Sequence, residues 1–259
     1  MVMTVAIDLN CDLGEGFGRY DLGVDAEMMK WITSANVACG LHAGDPQVMA
    51  RTVALANEYG VALGAHPGYP DMQGFGRRPM ALTPEEIANA LYFQLGALEA
   101  FARINGLPLV HVKPHGALYN LAARDHQTAH VIAQAVTAFD SQLILVGLAG
   151  SELTRAGSTL GLRIAHEGFP DRGYHADGQL MPRDQEGAII TDPESVASNA
   201  VRLAKEGIFA NGEILRVDTL CLHGDNPTAV ESAQLTRCKL KEAGIAIAPL
   251  EHIVGSKLV

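Results

Sequence analysis

The chain has 259 residues, 48% of them hydrophobic and 19% charged, a globular composition that excludes a disordered or low-complexity protein. Lys and Arg total 19 against 29 Asp and Glu, a formal charge of −10 whose field repels phosphate backbones and argues against a nucleic-acid partner. The longest apolar stretches, such as Leu143-Ile144-Leu145-Val146, fall far short of the roughly 20 residues of a membrane span.

The N-terminus, Met1 to Asp8, has no basic leader and carries a carboxylate where a signal peptide would be apolar. Cys11, Cys39, Cys221 and Cys238 form no Cys-x-x-Cys pair, so they read as reduced thiols of a cytoplasmic protein.

Short apolar runs and helical patterns alternate along the chain. The first run, residues 4–10, predicts a strand and is followed by a second at 34–39. Asp45-Pro46 then offers a cap and a proline to a helix that Gly60 ends before a third run at 61–65. Thr83-Pro84-Glu85-Glu86 combines an N-cap, a first-turn proline and a capping-box glutamate. It opens a long helix over 83–105, with Ile87, Leu91, Leu95, Leu98 and Phe101 or Ala102 on one face and Gly106 at its end. Runs at 109–112, 142–146 and 163–166 follow. Asp192-Pro193 starts a helix that Gly207 stops, a run at 219–222 precedes Asn226-Pro227, and Gly244 stands before a weaker run at 245–248.

Several runs are apolar at nearly every position, as parallel strands covered on both faces require. Seven βα units of 25–45 residues with no linker between them predict a single α/β domain over 1–259, a parallel (β/α)7 TIM-like barrel one strand short of eight. A doubly wound open sheet has the same pattern, and the placement of polar residues favours the barrel.

Those residues follow the runs. They are Asn10-Cys11-Asp12-Leu13-Gly14-Glu15, then Cys39-Gly40-Leu41-His42, then His66-Pro67-Gly68-Tyr69-Pro70-Asp71. Lys113-Pro114-His115-Gly116-Ala117-Leu118-Tyr119, His166-Glu167-Gly168-Phe169-Pro170-Asp171-Arg172 and His223-Gly224-Asp225 complete the set. In a βα barrel all of them face the C-terminal mouth, where active sites are built. Five of the ten histidines (His42, His66, His115, His166 and His223) fall there. Asp45 and Asn226 also read as plain helix caps, Asp71 as a turn residue, and His126 and His130 as surface residues of a helix. Gly-Phe-Gly-Arg occurs at 16–19 and again at 74–77, either as two lids bringing Arg19 and Arg77 over the mouth or as ordinary surface loops.

The residue types permit more than one chemistry. Asp12, His42, His66 and His115 suit a divalent metal. His223 and Asp225 suit a general base and its partner, with Lys113 stabilising an oxyanion. There is no Gly-x-Ser-x-Gly elbow, dinucleotide fingerprint or P-loop.

The same strings resemble the LamB/YcsF family, with six motifs in order between about residue 4 and residue 250. Leu41 stands where that family commonly has phenylalanine and Pro170 where it has alanine. The resemblance implies a barrel of the glycoside hydrolase/deacetylase type and the A component of 5-oxoprolinase. It also implies ATP-dependent opening of 5-oxo-L-proline to L-glutamate with subunits B and C, ATP with Mg2+ being consumed. On position and chemistry, Asp12, Lys113, His115, His223 and Asp225 are the catalytic candidates. Asn10, Glu15, Arg19, His42, His66, Arg77, Tyr119, Glu167 and Arg172 are the substrate-binding candidates. A stand-alone metal-dependent amidohydrolase or carbohydrate deacetylase, and a non-catalytic binding component, are the alternatives. A homo-oligomer is compatible with the apolar content.

Overall fold

The computed structural model describes residues 5–20, 24–224 and 227–255. The chain begins with β1 (Ala6–Leu13), a short α1 (Asp25–Met28) and β2 (Ser34–Ala38), then α2 (Pro46–Tyr59), β3 (Ala62–His66), α3 (Pro84–Ile104) and β4 (Leu109–Val112). Next come α4 (Gly116–Ala122), α5 (His126–Phe139), β5 (Ile144–Leu148), α6 (Glu152–Thr159) and β6 (Arg163–Gly168). After a long loop follow α7 (Pro193–Glu206), β7 (Ile208–Ala210), β8 (Glu213–Leu215), β9 (Thr219–Cys221), α8 (Ala229–Glu242), β10 (Ala246–Ile247) and α9 (Leu250–Val254).

Seven strands pair in parallel in the order β1-β2-β3-β4-β5-β6-β9, and β9 pairs back onto β1, which closes the barrel. This is the expected (β/α)7 fold, and the open sheet is excluded. The weak run at 245–248 is a strand, β10, added in parallel beside β1. Two expectations need correction. β1 continues past Asn10 through Asp12 to Leu13, and the antiparallel hairpin of β7 and β8 interrupts the βα alternation before β9.

The sequence signals for the helices act as expected where they are described. Asp45 accepts from the backbone N–H of Gln47 and Val48, and Thr83 and Glu86 form a capping box. Asp192 caps α7 through Ser195, while Gly60 ends α2 with φ of 65°, a backbone conformation that favours glycine. Asn226 lies outside the described residues. On α3, Ile87, Leu91, Leu95, Leu98 and Ala102 are buried, a stripe at helical spacing laid against the barrel. The barrel strands send Leu9, Cys11, Leu13, Val37, Leu63, Leu145 and Leu220 outward into this same core. Burial of each such leucine or isoleucine is worth about 1.5–3 kcal/mol. At the N-terminal end, Leu250 and Val254 of α9 pack with Val110, Ile144, Val146 and Ala165 and stopper the barrel. The opposite end is left for chemistry.

Among the described residues no helix is long and apolar enough to cross a membrane. The four cysteines are unpaired, three of them buried.

Candidate functional site

Alternation along β1 turns Asp8, Asn10 and Asp12 inward, so this strand presents a polar face to the barrel interior up to the mouth. Asp8 accepts hydrogen bonds from the hydroxyls of Thr33, Ser34 and Thr219. Asn10 donates to Thr219, and Asn36 donates to both Asn10 (2.7 Å) and Asp12 (2.8 Å). His111 Nε2 donates to Asn36 Oδ1 at 2.7 Å. Gly64 makes room for that ring, since a Cβ there would lie 2.0 Å from His111 Nε2. This lattice of neutral amides and hydroxyls fixes the side chains above it.

Lys113, one residue beyond β4, is the hub at the top. Its Nζ lies 2.8 Å from Asp12 Oδ1, 2.9 Å from Glu167 Oε1 and 3.1 Å from Cys221 Sγ. Tyr119 on α4 donates to the other Glu167 oxygen at 2.7 Å. Burial opposes the charge on Lys113, but the carboxylates of Asp12 and Glu167 outweigh it and hold the ammonium well above the usual lysine range. Burial likewise pushes Asp12 up, and His66 and Lys113 overcome it, so Asp12 ends well below its ordinary range.

Beside this ion cluster stand three imidazoles and a carboxylate. His66 Nε2 lies 3.2 Å from Asp12 Oδ2 and 2.9 Å from His115 Nδ1. His42 stacks on His115 with centroids 3.8 Å apart and planes within 6°. Glu15 Oε1 is 3.5 Å from His115 Nδ1 and 3.7 Å from His42 Nε2. Burial, then the neighbouring histidines, drives His115 down to about 2, and burial lowers His42 well below the imidazole range. Burial and Asp12 raise Glu15.

The second Gly-Phe-Gly-Arg loop closes over this group. Phe75 sits at φ of 54°, a strained conformation for a residue with a side chain, and its carbonyl accepts from His115 Nε2 at 2.8 Å. Arg77 lies over the Phe75 ring at 5.1 Å and lines the mouth. The first copy behaves differently. Phe17 and Arg19 are exposed, and Arg19 is not part of the cavity wall.

Across the mouth, His223 Nδ1 meets Asp171 Oδ2 at 2.6 Å, and the His223 ring stacks on Phe169. Burial opposes a charge on His223, and the Asp171 carboxylate outweighs it, raising this histidine above the usual range. The partner expected for His223, Asp225, lies outside the described residues.

A cavity of about 880 Å³ joins these groups, lined by Asp12, Glu15, His66, Arg77, Lys113, His115, Tyr119, Arg172 and His223, with Arg124, His175 and Arg183 towards its rim. Asn10, His42 and Glu167 sit behind this wall, fully buried. Arg172 is spoken for, its Nε and Nη2 donating to the carbonyls of Ala188 and Met181, so it fastens the loop after β6. His166, like His42, does not join the lining. Its neighbour Glu167 faces Lys113, and alternation turns His166 to the other face of β6. Asp171, Arg124 and Arg183 belong to the site without being candidates on sequence grounds. Asp171 stands within a strand-end string, but nothing in local spacing marks it as the partner of a residue 52 positions away.

Residues 7–255 match the LamB/YcsF family. The chain belongs to that family. It is 52% identical over 253 residues to a protein of Pyrococcus abyssi named as the A subunit of 5-oxoprolinase, covering 96% of this chain and 99% of that one. The protein of the same name from Methylococcus capsulatus is 54% identical over 252 residues, covering 96% and 97%. Among solved structures, a lactam utilization protein from Thermus thermophilus superposes with a TM-score of 0.88 at 48% identity, covering 94% of this chain and 99% of that one. A deacetylase solved with substrate shares the fold at a TM-score of 0.51 and 16% identity, over 98% and 92% of the two chains. For this LamB/YcsF protein, the last likeness concerns architecture alone.

Proposed function

We propose that this chain is the A component of a cytoplasmic, ATP-dependent 5-oxoprolinase that works with subunits B and C to open 5-oxo-L-proline to L-glutamate. The near-full-length likeness to proteins named as this component of 5-oxoprolinase carries the reading. The cavity has the chemistry the reaction needs. A five-membered lactam is a resonance-stabilised amide, and ATP with Mg2+ supplies the phosphoryl group that makes its carbonyl carbon electrophilic. Transfer to the carbonyl oxygen releases ADP and gives an imidate-like phosphate. Water adds to that carbon, the carbon–nitrogen bond breaks with a proton going to nitrogen, and an acyl phosphate remains. A second water converts it to the glutamate carboxylate and phosphate.

The side chains divide this work. Asp171 accepts from His223 Nδ1 and so orients the ring, and His223 exchanges the proton between the attacking water and the departing nitrogen. Lys113 faces the oxygen on which negative charge grows, held there by Asp12 and Glu167. Arg77 at the rim receives the substrate carboxylate through paired donors.

The decisive assay combines the purified chain with its candidate B and C subunits and follows ADP and glutamate. We expect 5-oxoproline-dependent formation of both in the mixture, and loss of at least 100-fold (~2.7 kcal/mol) in His223→Ala. Glutamate from the lone chain without ATP would replace this reading with a self-sufficient amidohydrolase. Full turnover in His223→Ala would remove that residue from the chemistry.

A further inference from the structure

Two of the mouth histidines have their tautomers dictated by the backbone. His66 Nδ1 lies 2.7 Å from the Lys113 carbonyl, and His115 Nε2 lies 2.8 Å from the Phe75 carbonyl. A carbonyl oxygen only accepts, so each of those nitrogens carries a proton. Neutral rings so held would present lone pairs from His66 Nε2 and His115 Nδ1. These two atoms face one another at 2.9 Å. Two lone pairs at that distance repel unless a positive charge lies between or beside them.

The neighbours make the same demand. Glu15 Oε1 and both ring nitrogens of His42 are buried without a hydrogen-bond partner, and His42 is fully buried. An unpartnered buried carboxylate oxygen is costly, and three such atoms at one place require an explanation. Lys113 does not answer it, because its contacts go to Asp12, Glu167, Asn10 and Cys221.

We infer that Glu15, His42, His66 and His115 form a binding site for one divalent transition-metal ion at the barrel mouth, the His42 ring turning out of its stack on His115 to ligate. The four donor atoms lie within 4.8 Å of one another. Two nitrogens about 2.1 Å from one ion and at right angles about it stand roughly 3.0 Å apart, close to the spacing here. The backbone carbonyls behind His66 and His115 are the outer partners that fix ligating imidazoles. Three nitrogens and one carboxylate suit zinc, cobalt, nickel or manganese over calcium or magnesium. Asp12 stands outside the set. Its Oδ1 is held by Lys113 and Asn36 and its Oδ2 lies beside the set, 3.2 Å from His66 Nε2, while Glu15 takes the place that Asp12 has in the sequence-based quartet. Gly76 keeps the site compact, since at φ of 64° a Cβ there would press on His42 and His115 at 2.8 Å.

The site stands whether or not the chain opens 5-oxoproline, so its test reads binding directly. The chelator-treated full chain is titrated with Co2+, following visible d–d absorption and heat, with ion content after dialysis measured by mass spectrometry. One ion per chain and a higher melting temperature in Co2+ are expected. His66→Ala and His115→Ala should lose the bound ion, and Glu15→Gln should weaken binding at least tenfold. His126→Ala, exposed at the start of α5, should bind as the wild type does. Absence of absorption, heat and thermal shift in the folded wild-type chain would overturn the site and leave a shared proton between His66 and His115. Undiminished binding in both histidine variants would overturn it equally.

Discussion

Asp8 lies on the barrel floor with three hydroxyls donating to it, yet burial outweighs them and pushes its carboxyl up to about 6. The ordinary aspartate value in an unfolded chain is about 3.9, so the folded protein holds this proton more tightly. Its contribution to stability is therefore full below about pH 4 and is lost as pH rises through 6. The loss is on the order of 3 kcal/mol by pH 7. Asp8→Asn keeps the shape and has no charge to bury, so its stability should lack this fall. Urea unfolding of both proteins at a series of pH values checks it; parallel curves between about pH 4 and 7 would rule the effect out. Much of the site is legible in the sequence at this scale, because Asp12, His66, Lys113, His115 and His223 stand at strand ends where a barrel must gather them. Asp171 is not, because its role depends on a contact between two distant loops. Nor is the contrast between the two Gly-Phe-Gly-Arg loops, since identical tetrapeptides differ here in what lies beneath them.

Among the elements, α3 is where local propensity and packing agree most closely. Its capping box satisfies the first turn, and its apolar stripe joins the main core, packed with β3, α2 and α5. Leu95, with no exposed surface, stands at the middle of that stripe. Leu95→Ala should cost about 2–5 kcal/mol, shifting the urea midpoint without changing the slope, whereas a cost below about 1 kcal/mol would mean the site collapses around the deletion. Strands are legible where apolar residues run together, as in β5. The end of β1 is not, because its inward side chains are Asn10 and Asp12, which break the apolar run while the ladder to β2 continues through Leu13. The β7–β8 hairpin is hidden for another reason. Its strands are three residues each, too short for a period to show, and Phe209 and Ile214, a cross-strand pair, are exposed rather than buried in the core.

For the whole molecule, the opening is richer in basic groups than the chain is. The chain carries a net −10, yet Arg77, Lys113, Arg124, Arg172 and Arg183 line the opening beside the carboxylates of Asp12, Glu15, Asp25 and Asp177. An anion approaching the acidic exterior is repelled, and one that reaches the mouth is drawn inward by arginines in a concave, low-dielectric setting. Salt screens exposed charges over about 10 Å at 0.1 M ionic strength, so it acts on the rim far more than on the buried Lys113 cluster. If the assembled enzyme takes an anionic lactam, its kcat/KM should fall several-fold as ionic strength rises from about 0.02 to 0.5 M, while kcat changes little. The neutral lactam 2-pyrrolidinone, which lacks the carboxylate, should show no such fall. Arg77→Gln should flatten the response to salt for 5-oxoproline and raise its KM. Equal salt sensitivity for charged and neutral lactams would mean that the arginines of the rim do not meet the substrate. The loss would then reflect salt acting on assembly of the complex, which sedimentation across the same range would reveal.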